Sequence, residues 1–123
     1  MTSIMTPTSA VFDKTTFLKR MMNDWDLCLE VLEDFLADLP FQLERLEQAF
    51  AQGDLPALAQ RAHTIKGASS NVSALVLQQS AATLELAARN GDLDKTGVCL
   101  TSLLEAAQKT ESTLASVRHS SHP

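Results

Sequence analysis

Apolar residues along this chain recur at steps of three and four, and no segment alternates with period two over a useful length. The pattern predicts helices and no sheet. Residues 1–10 lack a period and contain Pro7, which marks a flexible arm. Over 11–22, Phe12, Phe17, Leu18, Met21 and Met22 can form one face of a short helix. Asn23 or Asp24 then caps the longest helix, about 24–52. Its stripe is Cys28, Leu32, Phe35, Leu36, Leu39, Leu43, Leu46 and Phe50, with Pro40 in the middle. One kinked helix is preferred over two, because the stripe keeps its phase across the proline and no loop cluster sits beside it.

Gly53-Asp54 ends that helix and starts the next, with Pro56 in the first turn, where a missing N–H costs nothing. This third helix fades near Asn71. Ser73 is the expected cap of a fourth, whose inward stripe is Leu77, Ala81, Leu84 and Ala88. Gly91-Asp92 repeats the earlier punctuation. A fifth helix follows, from Leu93 or Asp94 to Val117, with Leu100, Leu103, Leu104, Ala107, Leu114 and Val117 on its buried side. Residues 118–123 form a polar, flexible tail. The predicted fold is all-α: an antiparallel up-and-down four-helix bundle over 11–117, with the short extra N-terminal helix across one end.

Composition changes this picture little but narrows the function. A chain of 123 residues, 45% hydrophobic and 20% charged, fits one globular domain. The formal net charge of −5 and the scattered cations, paired only at Lys19-Arg20, argue against a nucleic-acid partner. Cys28 and Cys99 sit far apart in helical patterns, so two buried thiols in a reducing cytoplasm are expected rather than a disulfide. No apolar run approaches the roughly 20 residues of a membrane span. Taken as a complete chain, it reads as a cytoplasmic monomer; a domain cut from a longer protein would look the same.

The chemistry concentrates in residues 62–71 (AHTIKGASSN). At about 3.6 residues per turn, His63, Lys66 and Gly67 fall at i, i+3 and i+4 and share a face. Leu55, Leu58, Ala59, Ala62 and Ile65 point largely the other way. A mid-helix glycine costs roughly 1 kcal/mol relative to alanine. Its benefit is bareness, which lets another molecule come close beside His63. A neutral imidazole, with an ordinary pKa of about 6.5, is a good nucleophile near neutral pH. It can hold a phosphoryl group as a phosphoramidate, with Lys66 neutralising part of the added charge. Gln60, one turn earlier on the same ridge, is a candidate partner contact.

Other chemistries lack support. The three histidines are His63, His119 and His122, and no metal-ligand spacing joins them to cysteine or carboxylate. The four glycines are isolated, so no phosphate-cradling loop exists for a nucleotide. Phosphate reaching His63 must come on another protein. The carboxylates of the long helix, including Glu30, Glu33, Asp34, Glu44 and Glu47, read as a solvated face.

The run His63-Thr64-Ile65-Lys66-Gly67-Ala68-Ser69 resembles the signature of the histidine-containing phosphotransfer (HPt) domain, a helical H-x-x-K-G-[AS]-[SA]. The similarity extends to 11–13 and 35–40, to the hairpin formed by 49–54 and 62–71, and to 84–92. It implies a phosphorelay intermediate that takes a phosphoryl group from a receiver domain's phospho-aspartate and passes it to another receiver. By the family pattern His63 is phosphorylated on Nε2, Lys66 steadies the phosphoryl group and Gly67 leaves room for the receiver. Glu85 matches a facing-helix position that orients the ring through Nδ1–H. Gln60 and Ser70 are the expected partner contacts. The implied partners are response-regulator receivers or a hybrid sensor histidine kinase, with Mg²⁺ and most of the catalytic machinery on the receiver. The chain itself carries no cofactor and is not an autonomous enzyme. The alternative is a bundle adaptor that docks a receiver or partner helix without transferring phosphate. One departure stands out: the family's Asn-x-Gly-Ala turn is here Asn71-Val72-Ser73-Ala74.

Overall fold

Aspartate starts four of the five described helices. Asp13, Asp24, Asp54 and Asp92 each accept a hydrogen bond from the backbone N–H three residues on, at 3.0–3.1 Å. Each such cap satisfies an otherwise orphaned donor and contributes about 1 kcal/mol. The computed structural model describes residues 11–119, in which every regular element is an α-helix. These are α1 (Lys14–Arg20), α2 (Trp25–Ala51), α3 (Leu55–Asn71), α4 (Leu75–Arg89) and α5 (Leu93–His119). The arm expected over 1–10 and the last four tail residues lie outside the described residues.

Short turns force consecutive helices to run antiparallel, and α2 packs on α3, α3 on α4, α4 on α5, and α5 back on α2. The expected four-helix bundle is thus closed. Its centre is built from Leu32, Leu46, Leu58, Ile65, Leu77, Leu84, Leu103 and Leu114, all essentially without solvent contact. The stripe on α2 holds its phase through Pro40, and α2 is one helix, as the pattern indicated. None of the described helices is long and apolar enough to cross a membrane.

α1 lies against the end of the bundle where α3 stops. Phe12 and Phe17 meet edge to face, with ring centroids 5.8 Å apart, and both are buried. Arg20 Nη1 donates to the carbonyls of Ser70 and Asn71, at 2.6 and 3.2 Å. These are last-turn acceptors of α3, where a cation also meets the negative end of the helix dipole.

The three turns of the hairpins share one design. Gly53, Ser73 and Gly91 all adopt left-handed backbone, with φ of 67°, 57° and 72°. In each turn two successive N–H groups reach back to carbonyls of the helix just ended, for example Ser73 to Ser70 and Ala74 to Ser69. The serine therefore occupies the position that glycine fills twice elsewhere.

The sequence reading needs four corrections. Ser73 does not cap α4: Ala74 holds that position without a side-chain bond, and Ser73 Oγ is buried with no partner among the described residues. A left-handed residue belongs to the end of α3, so its hydroxyl points away from the donors of α4. Met22 does not extend the apolar face of the first helix, because α1 ends at Arg20 and Met22, at φ 58°, is 86% exposed. Cys28 is buried, but Cys99 is only half-buried, at the margin of the core. Finally, α5 continues through Arg118 and His119, two residues into the expected tail, where the Arg118 cation complements the helix C-terminus.

Left-handed backbone costs an L-residue about 1–2 kcal/mol, which glycine avoids at some expense in unfolded-state entropy. Ser73→Gly should therefore raise stability by about 1 kcal/mol, counting the relieved hydroxyl. Ser73→Ala, which removes only the hydroxyl, should gain less. Urea unfolding followed by circular dichroism checks this; a glycine variant no more stable than the alanine variant would contradict the strain argument.

Candidate functional site

On α3, Leu58, Ala59, Ala62 and Ile65 turn into the core. The same helical phase carries His63 and Gly67 to the surface and leaves Lys66 half-buried beside α4. The His63 side chain is 61% exposed. A Cβ built on Gly67 would meet nothing within 4 Å, so no internal contact requires this glycine. What its missing side chain clears is space outside the protein.

α4 supplies the counterpart. Glu85 follows the buried Leu84, and only 10% of its side chain is exposed. Its carboxylate receives donors from both helices. His63 Nδ1 lies 3.1 Å from Oε2 and 3.3 Å from Oε1. Lys66 Nζ is 2.9 Å from Oε1. Arg89, one turn further along α4, places Nη2 at 2.7 Å and Nε at 3.0 Å from Oε2. Burial alone would raise the carboxyl's pKa. The hydrogen bonds from Lys66 and Arg89, and the charges of Lys66 and His63, outweigh burial and bring it down to about 2.

This settles the ring's tautomer by elimination. An ionised carboxylate only accepts hydrogen bonds, so the imidazole nitrogen facing it must be the donor. The proton therefore sits on Nδ1. In the neutral ring the lone pair is then on Nε2, the nitrogen turned away from Glu85.

The positions singled out in the sequence fall together only in part. His63, Lys66 and Glu85 form one cluster, with Gly67 on the same ridge. Gln60 is exposed one turn before His63, and its carbonyl accepts from Thr64 Oγ1. Ser70 is half-buried, and its carbonyl is taken up in holding Arg20 of α1. Lys66 is not a free surface cation, since its ammonium rests on Glu85. Arg89 was missed. Its signal was present in the four-residue spacing from Glu85 on one helix, which pairs opposite charges. Lys66, Ala82, Glu85, Leu86 and Arg89 line an open recess of about 220 Å³ on the Lys66–Arg89 side of the cluster. Among the described residues no group of histidine, cysteine and carboxylate side chains could hold a metal ion.

The depressed pKa makes Glu85 a pH-dependent contributor to stability. Its share is complete above the ordinary carboxyl value of 4.5 and drains away as pH falls through about 2. Glu85→Gln, uncharged throughout, should flatten that part of the acid-unfolding curve measured by circular dichroism. An unchanged curve would mean that the ion pairs contribute nothing net.

A family model described as Hpt domain matches residues 30–118, well over half of the chain. No curated protein matches significantly. The crystal structure of histidine-containing phosphotransfer protein B (HptB) from Pseudomonas aeruginosa PAO1 superposes with a TM-score of 0.81 at 26% identity. That match covers 88% of this chain and 94% of the other. The HPT domain from a sensor hybrid histidine kinase of Shewanella superposes with a TM-score of 0.77 at 23% identity, over 88% of this chain and 93% of that domain, and supports the fold. The chain belongs to the Hpt domain family, and its function is histidine phosphotransfer within a phosphorelay.

Proposed function

We propose that His63 carries the phosphoryl group, taking it on Nε2 from an aspartyl phosphate of a receiver domain and returning it to the aspartate of another. The observation behind this is the hydrogen bond from His63 Nδ1 to Glu85, which leaves an exposed nucleophilic lone pair on Nε2. In the forward step the Nε2 lone pair attacks phosphorus. The N–P bond forms as the P–O bond to the aspartyl carboxylate breaks, and that carboxylate departs with the electron pair. No proton needs to leave the ring, because Nδ1 keeps its own. The ring becomes a phosphorylated imidazolium, whose positive charge faces the Glu85 carboxylate. Passing the group on reverses these changes.

Lys66, one turn from His63, neutralises charge on the transferred group as a mobile point charge. Gly67 leaves the ridge low enough for the receiver's docking surface, and Gln60 and Ser70 contact that surface. The chain is a phosphocarrier: the Mg²⁺ and most of the catalytic groups belong to the receiver. We infer that one copy suffices, because the four apolar stripes satisfy one another within a single chain. Receivers and sensor kinases act in the cytoplasm, which we assign as the site of this protein.

The test is transfer from a labelled receiver–Mg²⁺ preparation to the wild type and to His63→Gln, over a panel of receivers. Wild type should gain an acid-labile, base-stable label, and His63→Gln should gain none while keeping its helicity. Measurable docking without label would instead support an adaptor. Lys66→Ala should slow transfer by about tenfold, the worth of one charge-assisted contact, while the fold is kept because His63 and Arg89 still meet Glu85. Unchanged kinetics would remove Lys66 from the site.

A further inference from the structure

Glu85 has more positive charge around it than it needs. One carboxylate meets two cations, and each cation has its own oxygen: Lys66 on Oε1, and Arg89 through two nitrogens on Oε2. The two differ in freedom. Arg89 is a planar fork anchored four residues along the same helix as its partner. Lys66 is a single ammonium on a flexible stem from the opposite helix, about one turn from the imidazole that it flanks.

This inference rests on His63 being the phosphoryl carrier. We propose that Arg89 is a positioning residue that acts by counter-ion exchange: it holds Glu85 so that Lys66 can leave Oε1 for the phosphoryl group on His63. In the resting protein Glu85 occupies Lys66. When a phosphoryl group with up to two negative charges arrives on Nε2, it competes for the ammonium. Arg89 and the ring N–H stay on the carboxylate, so the departure of Lys66 does not strand a buried charge. Without Arg89, the release of Lys66 would leave the phosphorylated ring as the sole partner of Glu85, and its Oε1 would be uncovered. Arg89 thus sets the availability of Lys66 without itself touching the reacting atoms.

The experiment uses the full chain as wild type, Arg89→Met, Glu85→Gln and the double variant. Each is labelled from a phosphorylated receiver with Mg²⁺ across a range of receiver concentrations. Arg89→Met should lower the maximal rate about tenfold, comparable to losing one charge-assisted contact. The half-saturating receiver concentration should stay unchanged. Glu85→Gln removes the ring's carboxylate partner and is slow in its own right, but adding Arg89→Met to it should cost little more, because an amide does not hold an ammonium. In ¹⁵N spectra, the Lys66 Nζ signal should shift on phosphorylation of wild type and stay near its resting position in Arg89→Met.

An equal loss from Arg89→Met in the wild-type and Glu85→Gln backgrounds, or a Lys66 signal that moves equally in wild type and Arg89→Met, would overturn the exchange. So would an increase in the half-saturating concentration alone, which would make Arg89 a receiver contact. A labelled wild type with an equally active Arg89→Met defeats this inference only. An unlabelled wild type defeats the assignment of His63 as well.

Discussion

Burying a carboxylate at the edge of a hydrophobic interface is costly unless donors meet it, and Glu85 is met by three side chains. Two of them, His63 and Lys66, come from α3, and one from α4, so the ionic cluster and the helix pair define one another. The cluster exists only if α3 and α4 sit at the right rotation and register. Their register is set in turn by the tight turn at Ser73, where the chain accepts left-handed backbone at a non-glycine residue. A local strain at the end of the hairpin therefore accompanies the geometry that places a carboxylate under an imidazole.

The chemical consequence is economical. Phosphoryl acceptance requires a neutral imidazole, a defined tautomer and an open approach. In the transfer proposed above, the ionised Glu85 defines the tautomer, helical phase supplies the exposure, and a glycine with no internal packing duty leaves the approach clear. Placing these groups on helices rather than loops holds them by core packing on the opposite face, through Leu58, Ala62 and Ile65 of α3 and Leu84 of α4. The positions of the reactive groups are thus inherited from the bundle.

The arrangement of termini serves the same end. Aspartate caps fix where α2, α3 and α5 begin, and left-handed turns fix where α2, α3 and α4 end. Arg20 ties α1 to the end of α3, and the Asp13 N–H donates to the Ser73 carbonyl. The N-terminal segment is therefore bonded to the turn that sets the register of α3 against α4. Its hydrogen bonds, made over some fifty residues of sequence, are of the kind that no local pattern contains.

Much of this protein is legible in its amino-acid order. Three- and four-residue periodicity gave the helices, the Gly-Asp pairs gave two of the turns, and helical spacing put His63, Lys66 and Gly67 on one face of α3. These follow from sequence because they depend on interactions within a few residues. Glu85 entered only through a family resemblance, and Arg89 was given no role in the site. His63 and Glu85 lie 22 residues apart, and their meeting depends on how α4 is rotated against α3. The misreading of Ser73 as a cap has the same root: a serine before a helix looks like a cap until backbone geometry assigns it to the helix before. Sequence alone determined the bundle, the exposed histidine and its neighbouring cation. Tertiary structure alone decided which ring nitrogen is free and what holds the lysine, because both are set by one carboxylate brought across from the facing helix.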